Sequence, residues 1–568
     1  MRYPALWSLE TQPEGCAAAT HPDGLMIGVI APEADQGVVR EFFELFKTPW
    51  EPHQKDHDYD VILCTVEQDS LPSAKLTVVF GAENRQIDSL LHSGVTPQGA
   101  PAEVDWNGTT IPIYTALSEI ESSGVTALAV KSSGRAAGVK VQQGGQTVVR
   151  IGYDLFREVA VLLTVGQPAQ YATIPTIELH IAVLRELMIE AGVIFVEIPP
   201  TPYGYELVAC LTHDVDFWGI RQHKLDHTMF GFLYRATWGT LRDALRGRVP
   251  WQKLRTNLKA AFTLPAVYLG LARDFWANLD EYLEAERGLN STYFFLPYPD
   301  VPGSAPGGEA PAKRAGKYDI AQVSKQVLRL LEAGCEVGLH GIDAWHDPQK
   351  GRQELQRIAS VSGRPVEGVR MHWLYFSDRS PAVLESTGLE YDSTCGYNDA
   401  VGFRAGTAQV FKPPGAERLL ELPLLIQDTA LLSSGRMGLA EQEALPLCEE
   451  VLRNVLSYGG ALVVNWHTRS LSPERLWGGL YGRLLNDIRA RVTWFGTAGS
   501  VASWFSKRRD MVFGPIKANG ATVRAVIRGL DGSRAPALKL HVHGFGQAKR
   551  AEAAIRAEGE LVLSLSGR

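Results

Sequence analysis

The first 200 residues alternate between two patterns of hydrophobic positions. Short β-branched runs bounded by Gly, Asn, Asp or Ser are typical of buried strands. These strand-like runs are DVILCT (60–65), LTVVF (76–80), 111–114 and 125–130. The stretch LHIAVLRELMIEAG, between Glu178 and Gly192, instead has helical spacing and ends at a glycine, which commonly follows a helix. Together the patterns predict an α/β accessory domain over residues 1–200.

Between residues 205 and 510, strand-like and helix-like runs alternate regularly. Helical spacing separates the strand-like runs and includes residues 278–289, 320–333, 353–361 and 441–457. The strand-like runs are ELVACLTHDVD (206–216), STYFFLP (291–297), EVGLHG (336–341), GVRMHWLYF (368–376), YDSTCGY (391–397), LLELPLLIQD (419–428), ALVVNWH (461–467) and RVTWFGT (491–497). This alternation predicts an α/β fold whose βα units form a parallel β/α barrel. In such barrels the chemistry lies on loops that follow the carboxyl ends of the strands.

The last segment, residues 511–568, has alternating runs such as ATVRAVIRG and ELVLSLSG between Gly-rich turns. It predicts a small antiparallel β module. His541 and His543 would share one strand face, and we expect an exposed polar face there rather than a metal pair. Within the barrel region, the Gly- and Pro-rich stretch 302–317 predicts a flexible loop.

Composition and charge exclude several function classes. Hydrophobic residues make up 45% and charged residues 21%, which excludes collagen-like, wholly disordered and disulfide-scaffold proteins. The net charge of −7 argues against nucleic-acid binding. The six cysteines form no CxxC motif and are expected to be buried, reduced thiols. Because the first residues lack the apolar core of a secretion signal, we expect a cytoplasmic protein.

Residues 221–273, here called the basic insertion, depart from the rest of the chain in charge. They contain ten Lys and Arg but only two acidic residues, a net charge of +8, whereas the remaining chain carries −15. Thirteen uncharged residues lie between Lys259 and Arg273, too few to span a bilayer but enough for a helix at its surface. The pattern fits either a solvated helical insertion or peripheral contact with a membrane or an anionic glycan.

Aspartate and histidine residues collect at the ends of the strand-like runs, and there is no GxSxG, P-loop or HExxH motif. Hydrolysing an amide at one metal ion needs three ligands, a carboxylate base and an acid for the departing amine. Asp214 and Asp216 could divide the base and ligand roles, and His467 could be the acid. His340 and His346 could complete an Asp-His-His metal site.

Five ordered segments resemble the NodB-like polysaccharide deacetylases, carbohydrate esterase family 4, over about half of the chain. They are THDVD (212–216), EVGLHGIDAWH (336–346), GVRMHWLYF (368–376), YDSTCGYND (391–399) and VVNWH (463–467). The resemblance implies a distorted β/α barrel that removes N- or O-acyl groups from sugars with a divalent metal, often zinc, with nickel or cobalt as alternatives. Segments 152–167 and 175–187 also resemble the accessory domain that precedes some bacterial deacetylases.

The resemblance also implies a role for each matching residue. Asp214 looks like the base, and Asp216, His340 and His346 look like the metal ligands. Arg370 matches the arginine that holds the base carboxylate. Asp392 is similar to the acidic residue that orients the acid, and His467 is similar to that acid.

Three positions depart from the family pattern. The family often has adjacent aspartates where this chain has Asp214-Val215-Asp216. Family histidines are usually four residues apart, but His340 and His346 are six apart. Six residues turn a helix by about 600°, so the connection must loop, and Asp343 or Asp347 could ligate instead of His346. The proline expected two residues after Arg370 is His372, which either acts at the site or packs beside Trp373.

Three functions compete on this evidence. The leading hypothesis is a metal-dependent deacetylase acting on an N-acetylated amino sugar in a glycan or a lipid-linked glycan precursor. A second is hydrolysis of a non-sugar C–N bond, such as a cyclic amide, on the same fold. A third is a catalytically silent carbohydrate-binding or scaffold protein. The candidate base, acid and ligands favour an enzyme, because a binding module needs none of them.

Overall fold

The computed structural model describes residues 26–247, 249–519, 522–529, 535–544 and 550–564. Cys16 and the N-terminal stretch that bears on secretion therefore lie outside the described residues. The chain divides into two compact units. The first comprises Met1–Gly204, Phe403–Gly415 and Ser503–Arg568, and the second comprises Tyr205–Gly402 and Ala416–Ala502. No helix in the described ranges is long and apolar enough to cross a membrane.

The N-terminal part of the first unit is a mixed sheet with four helices. The strands are β1 (Ile27–Ile30), β2 (Trp50–Pro52), β3 (Val61–Cys64), β4 (Leu76–Phe80), β5 (Gly94–Gln98), β6 (Ala102–Trp106), β7 (Thr109–Ile113), β8 (Leu117–Glu121), β9 (Val125–Val130), β10 (Ala136–Gln143), β11 (Gln146–Ile151) and β12 (Phe195–Glu197). The helices are α1 (Gln36–Phe46), α2 (Gln86–Leu90), α3 (Leu155–Thr164) and α4 (Thr176–Glu190). The main sheet has the order β2-β1-β3-β4-β11-β10-β9-β6-β7. The mixed α/β character predicted for this region is therefore present.

The second unit contains a curled, open sheet of parallel strands. The strands of this unit are β13 (Leu207–Val215), β14 (Ser291–Phe295), β15 (Ser304–Ala305), β16 (Gly308–Glu309), β17 (Glu336–Gly341), β18 (Gly368–Met371), β19 (Tyr391–Asp392), β20 (Leu420–Glu421), β21 (Ile426–Gln427), β22 (Ala461–Asn465) and β23 (Thr493–Phe495), of which β15 and β16 form a separate antiparallel hairpin. The sheet order is β20-β19-β18-β17-β14-β13-β22-β21, with β23 also paired to β13. Every strand-like run predicted between 205 and 510 contains at least one of these strands.

Helices connect the strands of this sheet. They are α5 (His227–Tyr234), α6 (Thr240–Leu245), α7 (Trp251–Tyr268), α8 (Leu279–Ala285), α9 (Ser324–Glu332), α10 (Pro348–Ser362), α11 (Ser380–Ser386), α12 (Asp428–Leu432), α13 (Glu441–Tyr458) and α14 (Gly478–Arg489), followed by α15 (Ala498–Asp510). β13 is buried along its whole length, which explains its nearly continuous apolar sequence. Beside the sheet, Val327, Leu330 and Ile358 from the helices pack with Phe295 and Leu339 from the strands.

The stretch 302–317 was expected to be a flexible loop, and the structure corrects this. It contains the β15–β16 hairpin, and Arg314 beyond the hairpin is buried. The Arg314 guanidinium explains this order, because it donates to the backbone carbonyls of Pro302, Ile342 and His372.

The C-terminal strands belong to the first unit. They are β24 (Val512–Asn519), β25 (Thr522–Arg528), β26 (Leu538–His543), β27 (Arg550–Ile555) and β28 (Gly559–Ser564). β24, β25 and β28 form one antiparallel sheet, whereas β26 pairs with β12 on one side and with β27 on the other. The segment expected as a separate module thus shares a sheet with the N-terminal segment. The expectation of an exposed face at His541 and His543 is wrong, since both are buried with Glu197.

Candidate metal and catalytic site

Strand register brings the candidate residues to one end of the parallel sheet. His340 on β17 lies beside Arg370 on β18, and Thr212 on β13 lies beside Asn465 on β22. β13 ends at Val215, so Asp216 begins the loop that follows it. The segments that were far apart in sequence therefore meet at the carboxyl ends of the strands, as the barrel prediction requires.

Three possible metal-ligating atoms converge in this place. Oδ1 of Asp216 lies 3.1 Å from Nε2 of His340 and 3.2 Å from Nδ1 of His372. The two histidine nitrogens are 2.9 Å apart. Among the described residues, two sets have ligand atoms that all lie within 4.8 Å of one another, this one and the set of Glu197, His541 and His543. Both histidines are buried, whereas the Asp216 side chain is 18% exposed.

The hydrogen bonds on the far side of each ring determine what faces the cluster. His340 donates from Nδ1 to the carbonyl oxygen of Arg370, and His372 donates from Nε2 to that of Arg314, both at 2.8 Å. A carbonyl oxygen can only accept, so in each neutral ring the other nitrogen carries a lone pair. Buried Asp216 Oδ1 receives no hydrogen bond in the described structure. Three lone-pair atoms facing one another at this distance fit a cation between them, and carbonyl bonds of this kind orient metal-binding histidines.

Neighbouring groups keep Asp216 ionised. Burial would raise the pKa of Asp216, but His372, His340 and His467, when they are protonated, hold it well below its usual range. Burial lowers the pKa of His372 in spite of the attraction of Asp216. The cluster thus offers one carboxylate oxygen and two imidazole nitrogens.

The structure places His346 outside this cluster. His346 is 31% exposed, and its Nε2 lies 3.2 Å from Oδ1 of Asp343. Asp343 also pairs with Lys350 at 2.7 Å, and Asp347 caps the first turn of α10. The cause is local, because the backbone N–H groups of residues 342 and 343 donate to Glu354 on α10 and turn the chain away from the site. In the described structure, His372 rather than His346 therefore lies with Asp216 and His340.

Asp214 lies beside the cluster and accepts hydrogen bonds from two side chains. Its Oδ1 accepts from Nη1 of Arg370 at 3.1 Å, and its Oδ2 accepts from Nδ2 of Asn465 at 2.8 Å. Burial would raise the pKa of Asp214, but Arg370, His340 and His467 outweigh this effect and lower it. Asp214 is therefore an ionised, oriented carboxylate that can accept a proton.

His467 lies across from both aspartates. Its Nε2 is 3.9 Å from Oδ2 of Asp214 and 3.7 Å from Oδ2 of Asp216, beyond hydrogen-bond range. Its Nδ1 donates to Oδ1 of Asp428 at 2.6 Å. Burial lowers the pKa of His467, but Asp428, Asp216 and Asp214 together raise it to about 9. A protonated ring is thus available to donate from Nε2 near neutral pH.

Asp428, not Asp392, is the carboxylate that orients His467. Asp392 accepts from the Thr394 hydroxyl and lies opposite Glu421 on the adjacent strand. Burial raises the pKa of Asp392 to about 7, although hydrogen bonds from Thr394 and Glu421 act in the opposite direction. Sequence analysis did not single out Asp428, although it ends the strand-like run LLELPLLIQD. The strand-end rule that selected the other residues would have included it.

We compared the chain with protein families, curated proteins and solved structures, and only the solved structures gave matches. No family model matches the chain, and no curated protein matches it. It is similar to a structure described as a novel carbohydrate deacetylase, Agd3, with 7% identity over 96% of this chain and 99% of that chain and a TM-score of 0.39. It is also similar to a polysaccharide deacetylase, Bc1974, from Bacillus cereus, with 11% identity over 40% of this chain and 86% of that chain and a TM-score of 0.24. A structure described as a probable polysaccharide deacetylase from Pseudomonas aeruginosa PAO1 has 11% identity over 54% of this chain and 93% of that chain, with a TM-score of 0.34. Polysaccharide deacetylases are therefore among the solved structures that match this chain.

Proposed function

We propose that this chain is a metal-dependent hydrolase that removes N-acetyl or O-acyl groups from an amino sugar in a glycan or a lipid-linked glycan precursor. The observation that carries the proposal is the convergence of Asp216 Oδ1, His340 Nε2 and His372 Nδ1 within 3.2 Å of one another. The substrate class rests on the sequence resemblance to polysaccharide deacetylases.

Asp216, His340 and His372 would hold the metal, with His372 taking the role that sequence analysis gave to His346. Two imidazoles and one carboxylate suit zinc, and nickel or cobalt also accept these donors. When bound, the ion would polarise the acyl carbonyl and lower the pKa of water towards about 7. Arg370 and Arg314 contribute through their carbonyl oxygens, which fix the orientation of the two rings.

The protein's own groups would move the protons. Asp214, oriented by Arg370 and Asn465, would accept the proton of the attacking water. His467, oriented by Asp428, would donate a proton from Nε2 to the departing amine. The 3.9 Å separation of Asp214 and His467 keeps base and acid from forming a direct hydrogen bond, so both stay available to the substrate.

The test combines metal content with acetate release by the purified full chain. Bound metal is measured by mass spectrometry, and acetate release from N-acetylglucosamine oligomers is followed with chelator and after addition of zinc, cobalt or nickel. His372→Ala should lose metal and at least about 100-fold in activity. His346→Ala is the matched control and should keep both, because His346 lies outside the cluster.

Each contrary result has a defined meaning. Loss of metal in His346→Ala with retention in His372→Ala would restore the assignment made from sequence. A metal-loaded protein that releases no acetate but opens a cyclic amide would replace the sugar substrate by a non-sugar C–N bond. A protein that binds no metal, and that no added metal activates, would overturn the enzyme proposal.

A further inference from the structure

The basic insertion exposes an unusual amount of apolar surface. In the described residues, 19 large hydrophobic side chains are exposed, and nine of them lie within 221–273. Five of the nine are aromatic. The nine residues are Leu225, Phe230, Tyr234, Trp238, Leu245, Trp251, Phe262, Leu269 and Leu271. Exposed apolar surface concentrated in one segment is typical of an interaction site.

These side chains are exposed although the insertion has a core of its own. The inner faces of its helices bury Met229, Phe232 and Ala236 against Leu264 and Val267. The cluster is completed by Ile220, Ala260 and Trp276. The helices are thus already packed, and the exposed residues form their outer faces.

Each outer face is a regular stripe. On α7, Trp251, Arg255, Lys259 and Phe262 are exposed at spacings of four, four and three residues, which places them on one side of the helix. Phe230, Tyr234 and Trp238 are exposed at intervals of four along α5 and the wider helical turn Arg235–Gly239. Two aromatic side chains therefore flank two basic ones along the same surface of α7.

Several cations of the insertion form no ion pair with any carboxylate that the structure describes. Lys224, Arg246, Arg255 and Lys259 are exposed, and none forms an ion pair with a carboxylate in the part of the chain that the structure describes. The segment carries +8 in a chain that is otherwise −15. A partner that neutralises this surface must be anionic, and one that covers the stripes must also be apolar.

We propose that the basic insertion docks the protein onto the surface of a bilayer that contains anionic lipid. Lipid headgroups would neutralise Arg255 and Lys259, while Trp251 and Phe262 would enter the boundary between headgroups and acyl chains. The exposed leucines favour lipid over a soluble anionic glycan, since a leucine offers nothing to hydroxyl groups. A second copy of the same positive face would be repelled.

The insertion leaves the sheet at the end that carries the candidate site. It follows β13 directly after Asp216, and Phe217 packs against its core. On the opposite side, the guanidinium of Arg469, two residues after His467, lies 3.7 Å from the ring centroid of Trp276 in that core. A docked protein would thus hold this end of the sheet close to the membrane. The docking itself does not depend on the proposed hydrolysis.

Vesicle sedimentation with the purified full chain tests this inference. The probes are vesicles of phosphatidylcholine alone and of phosphatidylcholine with 30% phosphatidylglycerol, each at low and high salt. We expect binding only to the anionic vesicles, weakened by salt because the attraction is screened within about 8 Å at physiological ionic strength. Replacing Arg255 and Lys259 by Gln should weaken binding roughly 30-fold, and replacing Trp251 and Phe262 by Ser at least tenfold.

A matched pair on another exposed helix provides the control. Lys325→Gln with Leu328→Ser on α9 changes one exposed cation and one exposed leucine, and binding should be unchanged. Equal losses in both sets would overturn the inference, as would the absence of binding to anionic vesicles at low salt. Self-association that the insertion variants abolish would reassign the face to a second copy. Binding to heparin but not to vesicles would reassign it to an anionic glycan.

Discussion

Asp428→Asn is the change that most directly tests the proton-donor side of the candidate site. Asp428 is buried, and both of its oxygens accept hydrogen bonds. Oδ1 accepts from His467 Nδ1 at 2.6 Å and from Thr429 N at 2.5 Å, and Oδ2 accepts from His467 N at 2.8 Å and from Ser470 Oγ. Asparagine has one acceptor oxygen and one NH2 group, so in either orientation the NH2 group would face an N–H donor.

The size of the effect follows from these bonds. A hydrogen bond to a charged group contributes about 1.5–3 kcal/mol, and about 1.4 kcal/mol corresponds to a tenfold change in rate. If that stabilisation is lost from protonated His467 in the transition state, kcat on an N-acetyl sugar should fall roughly 10- to 150-fold. Hydrolysis of 4-nitrophenyl acetate should fall much less, because the nitrophenolate leaves without needing a proton.

The assay is therefore the ratio of amide to ester activity, measured with metal content and melting temperature. Asp392→Asn is the matched control, since it makes the same change in the buried carboxyl that sequence analysis placed in this role. It should leave the ratio unchanged. An equal fall on both substrates in Asp428→Asn, with metal and melting temperature preserved, would refute the assignment of His467 as the acid.

Two further predictions concern other carboxyl groups. Asp214→Asn should keep the metal but lose about 10²–10⁴-fold in turnover, because an amide cannot accept the proton of water; near-normal single-turnover rates would move the base elsewhere. Burial raises the pKa of Glu178 to about 8 in the folded chain against 4.5 for an ordinary Glu. The folded state then binds this proton more tightly than the unfolded state, so stability falls as pH rises from about 4.5 to 8. Glu178→Gln should therefore raise the free energy of unfolding relative to wild type at pH 8. The gain should be on the order of 1 kcal/mol for each pH unit above about 4.5, so it should be small at pH 5. Denaturant unfolding at both pH values measures this, and a pH-independent difference would contradict it.

Local sequence was sufficient to predict the strands and where the chemistry lies along them. Runs such as LVACLTHDV are apolar because a parallel strand is covered on both faces, and the polar residues that follow such a run must lie at the sheet end. This reasoning correctly placed Asp214, Asp216, His340 and His467 together. It depends only on periodicity and on the rule that parallel strands end on the same side.

Choosing among neighbouring residues required the tertiary structure. His346 and His372 both follow a strand that contributes to the site; sequence analysis gave the ligand role to His346 and left the role of His372 open. The choice was made by Glu354, which turns the chain after β17, and by Arg314, whose carbonyl oxygen orients His372. Arg314 is distant in sequence from His372, and Glu354 acts on the backbone of residues 342 and 343 rather than on the His346 ring, so the residues next to either histidine do not contain this information.

The same distinction applies to the basic insertion and to the buried carboxyls. Charge counting over 221–273 identified an unusual segment, but only the packing of α5 and α7 on a shared core decided which of its residues are exposed. Asp392 and Asp428 both follow apolar runs, and sheet order decided that Asp392 lies beside Glu421 while Asp428 reaches His467. Sequence by itself determined which residue types lie at the strand ends. Which of them touch depends on contacts between distant segments, and only the folded chain sets those distances.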